Sequence, residues 1–152
     1  MPLREVTLID ASVPETATFA EAVEALSATR APALAVLDDE GHVLGVFSEG
    51  DVLRAIFPGY LDELRHTAFL PDDAASLDRL ASEVRDRPVR EFARATETLS
   101  IDDSQIHAAE RFLHSGGEDA LPVVEDGRFR GMLTVSELCR ARLARVAEGS
   151  QS

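Results

Sequence analysis

Two heptads of this chain carry residue types suited to holding a phosphate and a sugar diol: Gly45-Val46-Phe47-Ser48-Glu49-Gly50-Asp51 and Gly131-Met132-Leu133-Thr134-Val135-Ser136-Glu137. In each, a glycine opens a short apolar run, a hydroxyl follows three places on, and an acid three places after that. If the hydroxyl stands where a strand gives way to a helix, backbone N–H groups and the positive end of the helix dipole converge on it. Ser48 and Thr134 can donate to a phosphate oxygen there, and an ionised Asp51 or Glu137 can accept from a ribose diol. Arg54 and Arg140 follow each acid by three residues, within reach of a phosphate.

The same residues admit a structural reading. Ser-x-x-Asp and Thr-x-x-Glu are also capping-box patterns, which stabilise a helix start by about 0.5–2 kcal/mol without a ligand. Arg54 and Arg140 also fit intrahelical pairs with their acids, each contributing about 0.2–0.5 kcal/mol. The four histidines, His42, His66, His107 and His114, have no ligand spacing and read as surface residues. No metal site follows from them, and no nucleophile lies at a recognisable distance from a base, so no catalytic residue is assigned.

The two heptads are 86 residues apart at every equivalent position, which makes an internal repeat the first organising feature. Around the first, Phe19, Ala22, Val23 and Leu26 have helical spacing behind a Thr18/Glu21 capping box. Ala33–Leu37 reads as a buried strand, and Asp38-Asp39-Glu40-Gly41 turns it into a second strand from His42 to Phe47. Ser48 then opens a helix through Ile56 that Pro58-Gly59 stops. A short strand at Val6–Ile9, ended by Asp10 to Pro14, leads in. The second half repeats this order. Ile106, Ala109 and Leu113 fall 87 residues after Phe19, Ala22 and Leu26, with Glu110 in place of Val23. Leu121 and Val123 keep that offset, and one residue is lost at the Asp126-Gly127 turn, whose central residues need positive φ.

Between the halves, residues 58–87 are too long and too apolar for a plain connector. Leu61 and Leu64 suggest a helical turn, and Leu77, Leu80, Ala81 and Val84 a helix that Pro88 ends. These helices are expected to pack on a neighbouring surface, within the chain or across a dimer. Residues 146–152 read as a frayed tail.

Composition narrows the function classes. The chain has 152 residues, enough to bury a core, and is 45% hydrophobic but only 5% aromatic, which predicts an aliphatic interior. Its formal charge of −13, with no lysine, would repel a phosphate backbone, so nucleic acid is not an expected partner. The same field weakens anion binding over about 8 Å at physiological salt. No run approaches eighteen apolar residues and Met1 to Glu5 lacks a signal-like apolar core, so neither membrane insertion nor export is expected, and the cytoplasm is the default location. The single Cys139 has no disulfide partner and, by its alignment with Leu53, reads as a small buried hydrophobe.

On the βαββα order given twice, on Leu121-Pro122-Val123-Val124-Glu125-Asp126-Gly127, and on the paired heptads, the sequence resembles tandem cystathionine-β-synthase (CBS) domains, the Bateman module. The resemblance spans residues 3–57 and 88–145. It implies an α/β fold of α+β type, with two βαββα repeats packed pseudo-symmetrically and the helical insertion between them. It further implies an adenine nucleotide such as AMP, ADP or ATP as regulatory ligand, no required cofactor, a homodimer through packing of the modules, and an unidentified regulated protein. The roles it gives are phosphate for Ser48 and Thr134, ribose for Asp51, and adenine for the strand entries, Ala33-Leu34 and Ala120-Leu121-Pro122. Glu137 departs from the usual Asp, which favours the first heptad as the nucleotide site. Two other readings stay open: a ligand-independent interaction scaffold of the same fold, and a module for a metal ion or a nucleotide second messenger.

Overall fold

In a computed structural model, residues 2–57 and 74–149 are described. Among the described residues, six strands and five α-helices follow one another as β1 (Ser12–Pro14), α1 (Phe19–Ala28), β2 (Ala33–Leu37), β3 (Val43–Ser48), α2 (Glu49–Ile56), α3 (Ala74–Val84), β4 (Leu99–Ser100), α4 (Gln105–His114), β5 (Ala120–Glu125), β6 (Arg128–Thr134) and α5 (Val135–Gly149). They form two three-stranded sheets, β1-β2-β3 and β4-β5-β6. In each sheet the first pair is parallel and the second antiparallel. The repeated (β)-α-β-β-α order is therefore the architecture itself.

Local sequence explains each element. Thr18 caps α1 and Glu21 reaches back to the Thr18 N–H, the expected capping box. Asp126 and Gly127 both take positive φ, 53° and 82°, so the β5–β6 hairpin is as tight as its dipeptide predicts. The hairpins share one register: Ala33 faces Ser48 as Ala120 faces Thr134, and both carry an irregularity one residue beyond Val36 and Val123.

Several sequence expectations need correction. Val6–Ile9 is not a strand; Ile9 makes one bridge to Met132, and the lead-in strand is Ser12–Pro14, within the stretch read as its terminator. The buried face of α4 is Gln105 and Ala108, with Phe112 packed beside them, whereas Ile106 and Leu113 are 71% and 82% exposed. The helix thus follows the 86-residue offset, with Ser104 as N-cap equivalent to Thr18 and Ala109, not Glu110, opposite Val23. The extra residue enters afterwards, in the Ser115–Asp119 loop. Cys139 is exposed rather than buried, as is its counterpart Leu53. The last helix continues past Arg145 to Gly149. Of the insertion, α3 is present and packs within the chain against α2, with Val84 in the core; Leu61, Leu64 and Pro58-Gly59 lie outside the described residues.

The repeats are stitched together by exchanged segments. Leu3 and Val6 are buried in the core of the second repeat, among Leu99, Leu121, Val123 and Leu133, and the Leu3 N–H donates to the Asp103 carbonyl at 2.9 Å. Val89 is buried in the core of the first repeat beside Phe19, and its N–H donates to Ala17 at 2.8 Å. Each repeat is completed by the segment that precedes the other. Ala120 and Met132 also join the first core, so the sheets pack face to face.

Candidate functional site

The exchange builds two clefts, one at the start of α2 and one at the start of α5. Pro32 and Asp119 border both. Their carbonyls are equivalent and each receives the first N–H of the helix beside it, Glu49 N at 3.3 Å from Pro32 and Val135 N at 3.1 Å from Asp119. The clefts therefore begin from one geometry, and their side chains make them different.

The first cleft, about 290 Å³, is lined by Ala33, Ser48, Gly50, Arg54, Arg94 and Glu118, among others. Ser48 caps α2, and Asp51, only 5% exposed, lies behind it. Asp51 Oδ2 accepts from the Ser48 N–H at 2.8 Å and from the Ser48 hydroxyl at 2.9 Å. Its Oδ1 accepts from Arg54 Nη2 at 2.7 Å and from Arg94 Nε at 2.8 Å. A carboxylate offers about four acceptor positions, and all are taken. Ser48 Oγ is also engaged, since besides donating to Asp51 it accepts from Asp51 N and from Arg94 Nη2, both at 3.3 Å. Arg94 completes its span by donating from Nη1 to Glu118 Oε1 at 3.0 Å. Burial alone would push the Asp51 carboxyl up; hydrogen bonds from Arg54 and Ser48 and the charge of Arg94 outweigh it and hold the group below the usual carboxylate range.

The second cleft, about 460 Å³, is lined by Ile9, Arg30, Pro32, Asp119, Thr134, Val135, Ser136, Glu137 and Arg140. Thr134 Oγ1 accepts from the Glu137 N–H at 3.1 Å, and Glu137 Oε1 accepts from Arg140 Nη1 at 2.9 Å. Among the described residues, the Thr134 hydroxyl hydrogen has no acceptor, Glu137 Oε2 has no donor, and Arg30 has no ion pair. This cleft presents a hydroxyl, a carboxylate oxygen and an uncommitted guanidinium around a helix start, the groups a phosphorylated sugar needs.

The structure thus brings Ser48, Asp51, Arg54 and Ala33 together at one cleft and Thr134, Glu137 and Arg140 at the other. Leu34, Leu121 and Pro122 are fully buried strand residues that line neither. Arg54 and Arg140 both make the intrahelical pair with their acid. Arg94, Glu118, Arg30 and Ile9 also line the clefts, and none belongs to either heptad. A further repeat at the 86-residue offset, Pro2-Leu3-Arg4-Glu5 and Pro88-Val89-Arg90-Glu91, marks the segments that cross between repeats, and Arg94 follows three residues after the second of them. Among the described residues no three His, Cys, Asp or Glu side chains converge as metal ligands, and no helix is long and apolar enough to cross a membrane.

The CBS domain family model matches residues 3–58 and 81–144, and the chain belongs to that family. No curated protein sequence matches it significantly. Among solved structures, it is similar to a CBS domain-containing protein of unknown function from Kribbella flavida, with 23% identity, 94% of this chain and 99% of that chain covered, and a TM-score of 0.74. A CBS domain protein from Pyrobaculum aerophilum complexed with AMP matches at 24% identity over 97% of this chain and 99% of its own, with a TM-score of 0.68. CBSX2 in complex with AMP matches at 22% identity over 94% and 96%, with a TM-score of 0.69. Identities this low establish the shared fold of paired CBS repeats.

Proposed function

We propose that this CBS pair is a regulatory module, not an enzyme, that takes an adenine nucleotide into a cleft between its repeats and signals its presence to a partner protein. The observation that carries this reading is the second cleft, where Thr134, Glu137 and Arg30 offer polar groups with unused hydrogen-bonding capacity at the start of α5. Similar folds complexed with AMP support an adenosine phosphate as the ligand class. Signalling would work by population shift, with the nucleotide binding one arrangement of the repeats better than another.

A thermal-shift series with AMP, ADP, ATP and S-adenosylmethionine tests this. At a hundredfold excess over Kd, binding to the folded state stabilises by about 2.7 kcal/mol, several degrees for a chain of this size. Glu137→Ala should diminish the shift more than Asp51→Ala, reversing the order that side-chain length alone suggests. No shift with any of the four at millimolar concentration leaves the scaffold reading. One observation favours that second reading for the first heptad: the Ser48/Asp51 capping box is complete with protein groups alone.

We further propose a homodimer. Leu53 on α2 and its counterpart Cys139 on α5 are both exposed, and Val135, Leu143 and Val146 extend an apolar stripe along α5. A second copy of the chain, carrying the same stripe, is the occupant this face suits. The free thiol in that stripe suits a reducing, cytoplasmic setting.

A further inference from the structure

The two clefts differ at the segments that cross between repeats. Ile9 bridges Met132, and Arg94 bridges Val46, the equivalent position 86 residues earlier. Backbone N–H and carbonyl groups are exchanged both ways, at 2.7 and 2.9 Å for Ile9 with Met132 and at 2.9 Å each for Arg94 with Val46. Gly45 and Gly131 permit this approach, since a Cβ on Gly45 would lie 2.6 Å from the Arg94 carbonyl oxygen and one on Gly131 would lie 2.6 Å from Leu8 Cβ. By backbone pairing Ile9 and Arg94 are thus counterparts, one at the wall of each cleft, although the 86-residue offset aligns Arg94 with Leu8. The Ser115–Asp119 loop carries a second exchange of the same kind, because Glu118 stands where the first repeat has the buried Ala31. Where the first cleft has the ion pair Arg94–Glu118, the equivalent positions of the second are the apolar Ile9 at its wall and Ala31 in the first core.

We propose that Arg94 is the resident occupant of the first cleft and locks it, so that the module binds a single adenine nucleotide per chain, in the second cleft. This deepens the proposed function and rests on its nucleotide reading. Arg94 spans Glu118, Ser48 and Asp51, and thereby uses the donors and acceptors that a ribose and a phosphate would require. The Ser48 hydroxyl spends its one hydrogen on Asp51, and Asp51 has no acceptor position left. A nucleotide entering this cleft must displace a guanidinium from a buried carboxylate, whose loss of partner is costly. In the second cleft Ile9 has no charge to satisfy, and Thr134 and Glu137 keep their capacity. The lock is held in place independently of its side chain, because the Arg94 backbone is paired with Val46.

The test is the number of AMP molecules bound per folded chain, measured by calorimetry and equilibrium dialysis on the full chain and on Arg94→Met, which keeps the aliphatic stem and the backbone bridge. One AMP per chain for the unaltered protein and two for Arg94→Met is the expected result. Two for the unaltered protein, or one for both while circular dichroism shows Arg94→Met folded, overturns the lock. If Arg94→Met does not fold, Glu118→Ala removes the outer anchor alone; a second AMP then supports the lock and continued binding of one overturns it. If the unaltered chain binds none, the second-cleft reading fails by itself. The lock then stands if the variant gains one AMP and falls if it gains none.

Discussion

Arg94 Nε lies 2.8 Å from Asp51 Oδ1 across 43 residues of sequence, and the two belong to different repeats. The pair holds the Ala93–Arg94 segment against the first repeat and compensates a carboxylate that is 4% exposed at its side chain. Removing the guanidinium leaves Asp51 with Arg54 and Ser48. A buried polar group left with no partner costs about 1–3 kcal/mol, an upper bound for a carboxylate that loses one of several. Arg94 is itself 39% exposed at its side chain, and solvent screening lowers the expected loss for Arg94→Met to about 1–2 kcal/mol. A urea titration at pH 7 reads this as a lower midpoint at an unchanged slope; a midpoint equal to that of the parent would show that the pair contributes nothing to stability.

The acid limb of stability should carry the mark of Asp51. Its carboxyl is held below the usual range in the folded chain, so in the window between the folded value and the unfolded value near ~3.9 the unfolded state binds more protons. The stabilisation is therefore fully present above the unfolded value and is lost as pH falls through the folded one. Asp51→Asn should be less stable than the parent at pH 7, and the difference should shrink steadily as the pH falls below about 4. Melting temperatures of both proteins from pH 7 down to the acid transition check this. A gap that stays constant or widens toward acid would contradict the assignment.

Gly45 is required by approach rather than by turn geometry. A methyl there would lie 2.6 Å from the Arg94 carbonyl oxygen, a backbone atom that cannot swing aside, with Ala93 Cβ at 3.4 Å. Gly45→Ala should cost about 1–3 kcal/mol, as overpacking does in close-packed interiors. Because the displaced group is the bridge between Arg94 and Val46, hydrogen exchange should rise at the Val46 and Arg94 amides in particular. Gly41→Ala is a useful contrast: φ is +87° there and no heavy atom lies within 4 Å of the added methyl, so any destabilisation reports backbone strain and should leave the bridge amides protected.

What the sequence made legible was what is local. The Thr18/Glu21 cap, the Ala33–Leu37 strand, the Asp126-Gly127 turn and the helix starts at Ser48 and Thr134 each depend on a few neighbouring residues, and each appears where the spacing places it. The α4 face is not legible from the strands, because their 87-residue offset does not hold on the other side of the loop that contains the extra residue. Ile106 and Leu113 look like a buried stripe only in that register, while Gln105, Ala108 and Phe112 face inward. The clefts were half legible. Capping residues can be read along the chain, but Arg94 reaches Ser48 and Asp51 only because the repeats exchange their leading segments, and no periodicity within one repeat reveals a partner supplied by the other.

The last helix offers a test of assembly. Val135, Cys139, Leu143 and Val146 recur at intervals of four, four and three residues, which sets them within one narrow face of an α-helix, and all four are exposed. Such a face left in water forgoes about 25 cal/mol for each Å² of apolar surface it would otherwise bury. A second copy bringing the same stripe would cover it with symmetric contacts, so one substitution acts twice in the dimer. Leu143→Asp should therefore convert a dimer to a monomer in light scattering while leaving the far-UV circular dichroism of the chain unchanged, because Leu143 is 69% exposed and lies outside both core clusters. Cys139 supplies an independent reading, since its thiol should react slowly with a bulky maleimide in the parent and quickly in Leu143→Asp. Equal rates, with a monomer mass for both proteins, would overturn the homodimer.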